Sequence, residues 1–221
     1  MAEVTRREPQ PDGKGATPAP RSSVIWTPAR KLLGNLVPLL VPLPIVAIAL
    51  WRIFKGGATF GELIVWTILA VAALWIGVNL LGLFQNEAIK KAMWRRLSSS
   101  LREKEIPKDP FFVGFARPSY RSAIDPHEDV GFLLLHEDRI EFFGDKDRVE
   151  LPKKSLVRAT LRPNPHSWAL LGGWVSVEGL VEGLPVRMLF EPREKKTLLA
   201  NRRLRKPLME KIQRWIDTPS S

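Results

Sequence analysis

The sequence predicts a membrane protein of two unlike parts. A two-helix transmembrane hairpin precedes an α+β, mainly β, domain of six or seven antiparallel strands capped by a C-terminal helix. Three observations predict it. Residues 63–84, LIVWTILAVAALWIGVNLLGLF, run for 22 positions without a charge. A second apolar run, LVPLLVPLPIVAIALW (36–51), lies just upstream. From Phe111 onward the hydrophobic period becomes two, the mark of antiparallel strands with one core face and one wet face.

At 1.5 Å per residue the charge-free run covers about 33 Å, enough for a hydrocarbon core of roughly 30 Å. The first run carries Pro38, Pro42 and Pro44 in its first half, where missing N–H groups and ring clashes kink or break a helix. With Lys31–Gly34 and Arg52–Phe54 as flanks it makes a span; a re-entrant or interfacial segment is the other reading. Gly56 and Gly57, in RIFKGGATFGE, suit a tight turn between the runs. Arg21, Arg30 and Lys31 precede the hairpin, and Lys90, Lys91, Arg95, Arg96 and Arg102 follow it, against only Arg52 and Lys55 between. The positive-inside rule then sets both chain ends in the cytoplasm of a plasma (inner) membrane protein with two spans. Trp26, Trp51, Trp66 and Trp94 fall near the expected interfaces, with Lys90, Lys91, Arg95 and Arg96 at the cytoplasmic one. Trp75 is expected to face the partner helix or lipid. Asn79 suits an interhelical hydrogen bond or, alternatively, the lining of a solute path.

The remaining boundaries follow from composition. Residues 1–27, rich in proline and charge and without an apolar signal-peptide core, are expected as a disordered cytoplasmic tail. The hairpin takes 32–84. An amphipathic juxtamembrane helix takes 85–106, where Ile89, Met93, Leu97 and Leu101 recur at helical spacing. It reads as a connector or as an interfacial helix on anionic lipid, and Pro107 and Pro110 end it. The domain takes 109–217.

Within the domain, alternation marks strands at 139–143, 157–162, 174–178 and 186–191, and HEDR (136–139), FGDKDR (143–148), LRPNPH (161–166) and GLVEGL (179–184) mark turns. The segment 193–216 is helical, with Pro207 expected to kink it or start a second helix. The stretch LLLHEDRIEFFGDKDRVELPKKSLVRATLR resembles the pattern of GRAM-like and bacterial PH-like (pleckstrin-homology-like) domains: strand, tight turn, strand ending in Gly, short strand, a Pro before a basic pair, then a strand near Leu156. Trp215 resembles the tryptophan of PH-domain C-terminal helices. A transmembrane hairpin upstream also occurs in bacterial PH-like membrane proteins. The resemblance covers roughly 111–217 and implies a binding module, with Arg117 and Arg121 near the first strand turn.

The net charge of +11 points to an anionic partner surface. The absence of cysteine excludes disulfides, thiol nucleophiles and Cys-ligated zinc. No P-loop, GxGxxG, HExxH or Ser/His/Asp arrangement is present, and no cofactor is called for. The triplet HED occurs at 127–129 and 136–138, but a strand between them separates the histidines by roughly 30 Å. Both read as polar turns, and His166 stands alone in a Pro-rich turn. SWALLGG (167–173) reads as a core strand ending in a Gly bulge, or as a loop dipping into the interface beside Arg158 and Arg162. RRLRK (202–206), after Lys195 and Lys196, reads as a solvated helix face, a patch for membrane or an acidic partner, or a nucleic-acid patch; without interleaved aromatic residues, nucleic acid is not the partner expected.

The expectation is a non-enzymatic binding or scaffold protein on the lipid bilayer. Lys153, Lys154, Arg158, Arg117 and Arg121 would donate charge-assisted hydrogen bonds to anionic headgroups or a membrane partner. The alternative is a self-associating assembly protein without lipid specificity.

Overall fold

The computed structural model describes residues 24–120 and 125–219. Arg121 and most of the expected tail lie outside them.

Helix α1 (Pro28–Leu36) opens on Thr27, whose hydroxyl accepts from Arg30 N–H. The three prolines turn the next segment into a 3-10 stretch, Val37–Leu40, before α2 (Leu43–Phe54). The two arms, Pro28–Leu40 and Leu43–Phe54, are bent by 49°. Helix α3 (Phe60–Leu81) starts in a capping box, with the Thr59 and Glu62 side chains each bonding the other's backbone N–H. Gly77 lets the 3-10 stretch approach: a Cβ there would lie 2.6 Å from Pro38 O. Among the described residues one helical stretch, Phe60–Ser100, is long and apolar enough to cross a membrane; a second candidate exists only if the two bent arms count as one span.

After a break at Gln85 (φ 66°), α4 (Asn86–Ser100) leads into the sheet. Seven strands follow: β1 (Phe111–Ala116), β2 (Asp129–Leu135), β3 (Arg139–Gly144), β4 (Arg148–Pro152), β5 (Leu156–Arg162), β6 (Trp174–Val181) and β7 (Leu184–Pro192). All pair antiparallel in the order β4-β3-β2-β1-β7-β6-β5, so β1 links the two halves. A four-residue helix, α5 (Pro165–Trp168), lies between β5 and β6, and α6 (Leu198–Asp217) closes the chain. The fold is α+β and mainly β, with the upper of the two expected strand counts.

The inner face packs Val113, Phe115, Phe142, Val175, Val177 and Phe190 beneath Leu208 and Ile212 of α6. Trp215 ties the end of α6 to the β2–β3 turn, donating from Nε1 to His136 O at 2.7 Å. Pro207 neither breaks α6 nor starts a second helix. It lies with Arg203, whose carbonyl it cannot bond, on the exposed side of the helix.

The expected wet face of the first strands is not wet. β2 and β3 are buried on both faces because α4 lies across them, its Ile89, Met93 and Leu97 fully buried against Phe112, Phe132 and Leu134. The helical stripe therefore serves the domain. Trp26, expected at an interface, is only 4 % exposed and belongs to this same layer. Residues 24–27 are thus part of the domain: the Ile25 and Trp26 N–H groups donate to the Asp145 carboxylate, which also pairs with Arg96.

Candidate functional site

The expected binding residues do not converge. Lys153 is buried, its ammonium 5.0 Å from the Trp215 ring centre, and Lys154 beside it is exposed. Both stand at the C-terminal end of α6. Arg117 pairs with Glu128 and Asp147 at another edge. Arg158 lies on the outer face of β5, and Arg121 lies outside the described residues. Of the remaining expected interface residues, Lys90 pairs with Glu194, Lys91, Arg95 and Trp94 are exposed on α4, Trp51 is exposed on α2, and Trp66 lines a groove of about 360 Å³ between α2 and α3.

Arg158 instead belongs to a cluster that register assembles. Glu178 stands opposite both Arg158 and Arg187. Its carboxylate accepts from Arg158 Nε at 2.9 Å, Arg162 Nη2 at 2.8 Å and Ser176 Oγ at 3.1 Å, with Arg187 Nε at 3.3 Å. Burial works against its charge, but the hydrogen bonds from Arg162 and Arg158 prevail and hold its carboxyl at about 2. Three guanidinium groups on one carboxylate leave this open face of the sheet positive. The Arg158/Thr160/Arg162 alternation and the strand at 174–178 were visible in the sequence; the register that sets Glu178 against Arg158 was not.

Where the outer face passes under α4, a polar seam is buried. Gly114 of β1 stands opposite Glu191 of β7, and the His127 ring fills the space a Cβ would need. His127 Nδ1 lies 2.9 Å from Asp125 Oδ1, and Nε2 lies 2.8 Å from Glu191 Oε2. His166 Nδ1 approaches the same Glu191 oxygen at 3.2 Å, and Gly173 N–H donates to Oε1 at 2.9 Å. His166 is therefore not alone: its ring centre is 6.0 Å from that of His127. Nor is His127 a solvated turn residue. Burial disfavours its cation, but Asp125 and Glu191 outweigh burial and raise its pKa above the usual imidazole value. Glu191 is held well below the carboxylate range against its own burial by both histidines, and Asp125, likewise opposed by burial, is held at about 2 by His127 and Arg193. Arg193 completes the seam, donating from Nε to Asn86 Oδ1 at 2.9 Å and lying 4.8 Å over the Trp26 ring. The second triplet is also structural: His136 Nε2 lies 2.9 Å from fully buried Glu141, at the other end of β2. Among the described residues no cluster of His, Asp and Glu has the arrangement of a metal site.

The third feature is the junction of the domain with α3. Asn79, expected to bond a neighbouring hairpin helix, accepts from Leu199 N–H at 2.9 Å, in the first turn of α6. Trp75 Nε1 donates to Ala169 O at 2.8 Å, just after α5. Leu83, Leu171 and Leu198 bury a small apolar cluster between them. SWALLGG is thus neither a strand nor a free loop: it is a capped helical turn that holds α3. The start of α6 carries Lys195, Lys196, Arg202 and Arg203, of which Lys195, Lys196 and Arg203 are exposed. Lys196 meets Glu87 of α4 at 3.5 Å, both well exposed. Arg202 of RRLRK, which donates to Leu170 O, and Lys196, beside Glu87, thus lie near the end of the apolar helix, at the opposite end of α6 from Lys153. No family model matches this chain, and neither a curated protein nor a solved structure does.

Proposed function

We propose that the chain is a non-enzymatic, membrane-anchored binding or scaffold protein of a bacterial inner membrane. In this reading α1–α3 form a hairpin with both chain ends cytoplasmic, and the PH-like domain rests on anionic headgroups. Support for the PH-like reading is a seven-strand antiparallel sheet, two meanders (β1–β4 and β5–β7) joined at β1–β7, with one closing helix that carries Trp215. The single observation that carries the function is the docking of the α6 start on α3. The Trp75–Ala169 and Asn79–Leu199 bonds bring the α6 start to the end of the apolar helix, with exposed Lys195 and Lys196 just before α6 and exposed Arg203 in its second turn. A basic residue near an anionic bilayer surface contributes roughly 1 kcal/mol, so a few suffice to orient a domain already tethered there.

The test uses the full chain in bilayers containing trace spin-labelled phosphatidylglycerol or phosphatidylcholine. The anionic probe is expected to be the more immobilised at the protein surface. That preference should fall at high salt and in a Lys195→Glu/Lys196→Glu/Arg203→Glu variant. Equal immobilisation of the two probes at low salt contradicts the proposal.

A further inference from the structure

We propose that the α5 turn, Ser167–Leu171, is a wedge that enters the bilayer beside α3 and sets the depth at which the domain sits. The inference rests on the membrane reading above and adds to it a second insertion point, outside the hairpin. Trp168 is 91 % exposed and Leu170 60 % exposed, although both are large apolar side chains. They are not on a loose loop. Asn164 caps the turn in a reciprocal pair with Ser167, Leu171 N–H donates to His166 O, and Leu171 itself is fully buried. Leu170 is held in the left-handed region (φ 59°), which a leucine rarely adopts, and its carbonyl accepts from Arg202 Nη1. The backbone is thus fixed in a conformation that displays Trp168 and Leu170 outward.

The height of the turn identifies what meets them. Trp75 is bonded through Nε1 to Ala169 O, between the two displayed residues. From Phe60, the first residue of α3, to Trp75 the helix covers about 24 Å at 1.5 Å per residue. A hydrocarbon core of about 30 Å that begins near Phe60 therefore extends past Trp75. On α3, Ile76 and Leu80, within five positions of Trp75, are also exposed apolar residues. Backbone polar groups at that depth need partners. Trp75 and Arg202 supply them to the carbonyls of Ala169 and Leu170.

The chain has no cysteine, so single cysteines can be placed in the full-length protein and labelled with an environment-sensitive dye. Four sites are compared in proteoliposomes: Trp168→Cys and Leu170→Cys in the turn, Ile68→Cys on α3, and Leu180→Cys near the remote β6–β7 turn. All four positions are exposed, which keeps the cost to folding small. Quenching is read with aqueous iodide and with phospholipid carrying a nitroxide high on its acyl chain. Labels at 168, 170 and 68 are expected to lose iodide quenching and gain nitroxide quenching, with the label at 180 behaving oppositely. If the label at 68 is lipid-quenched while those at 168 or 170 match 180, the wedge is wrong and the anchor stands. If the label at 68 is quenched by iodide, the anchor fails and the wedge with it.

Discussion

His127 Nε2 lies 2.8 Å from Glu191 Oε2, two groups from opposite ends of the domain sequence meeting over Gly114. Around them stand Asp125, His166 and Arg193. The His127 pKa is raised in the folded state. Its contribution to stability is therefore complete below the unfolded value near 6.5 and is lost as pH rises through the folded value. Asp129, buried and raised to about 6 despite backbone N–H donors from Lys146, Asp147 and Val130, loses stability mainly between its unfolded value and about 6 and adds only the tail of that fall above it. Thermal unfolding of the full chain in detergent should show a midpoint that falls as pH rises above about 6.5. His127→Gln should lower the midpoint at pH 6 and flatten that fall. An unchanged slope in the variant would show that another group carries it.

Gly114 tests the same seam sterically. A Cβ there would lie 2.0 Å from His127 Cδ2 and 2.6 Å from Nε2. The ring is held on both sides, so it has little room to yield. Gly114→Ala should destabilise the protein by about 1–3 kcal/mol, the usual range for overpacking, as measured by chemical denaturation in detergent. A loss near zero would mean that the seam can open.

Asn79 tests the junction. Its Oδ1 accepts one of the first-turn N–H groups of α6, which the helix cannot satisfy internally. Asn79→Ala should speed amide exchange in the first turn of α6 by a factor corresponding to about 1 kcal/mol, while Asn79→Asp, which keeps the acceptor, should restore protection. Equal exchange in all three proteins would argue that Leu83, Leu171 and Leu198 alone hold the junction.

Much of the architecture was legible because it is written in local periods. The charge-free run predicts α3, the alternation predicts the strands, and HEDR, FGDKDR and GLVEGL fall at the β2–β3, β3–β4 and β6–β7 turns. What was not legible depends on partners distant in sequence. The Ile89/Met93/Leu97 stripe has the same spacing whether it faces lipid or protein, and only the fold shows that it covers β2. Trp26 looked interfacial because tryptophan suits both a headgroup layer and a core. His166 looked isolated because its partner Glu191 lies on β7, brought over by the β5–β6–β7 meander. The basic set we propose lies at the start of α6 and not at Lys153 and Lys154, because sequence alone does not reveal which end of that helix touches α3.

We propose that the basic start of α6 and the α5 turn rest on an anionic bilayer. Hydrogen–deuterium exchange of the full chain in nanodiscs tests it most directly, comparing phosphatidylcholine alone with a mixture containing phosphatidylglycerol. Exchange across 195–203 should slow in the anionic discs and recover at high salt, while the remote β6–β7 turn at 182–183 should not respond. Exchange at 195–203 that is indifferent to both lipid charge and salt would contradict the account.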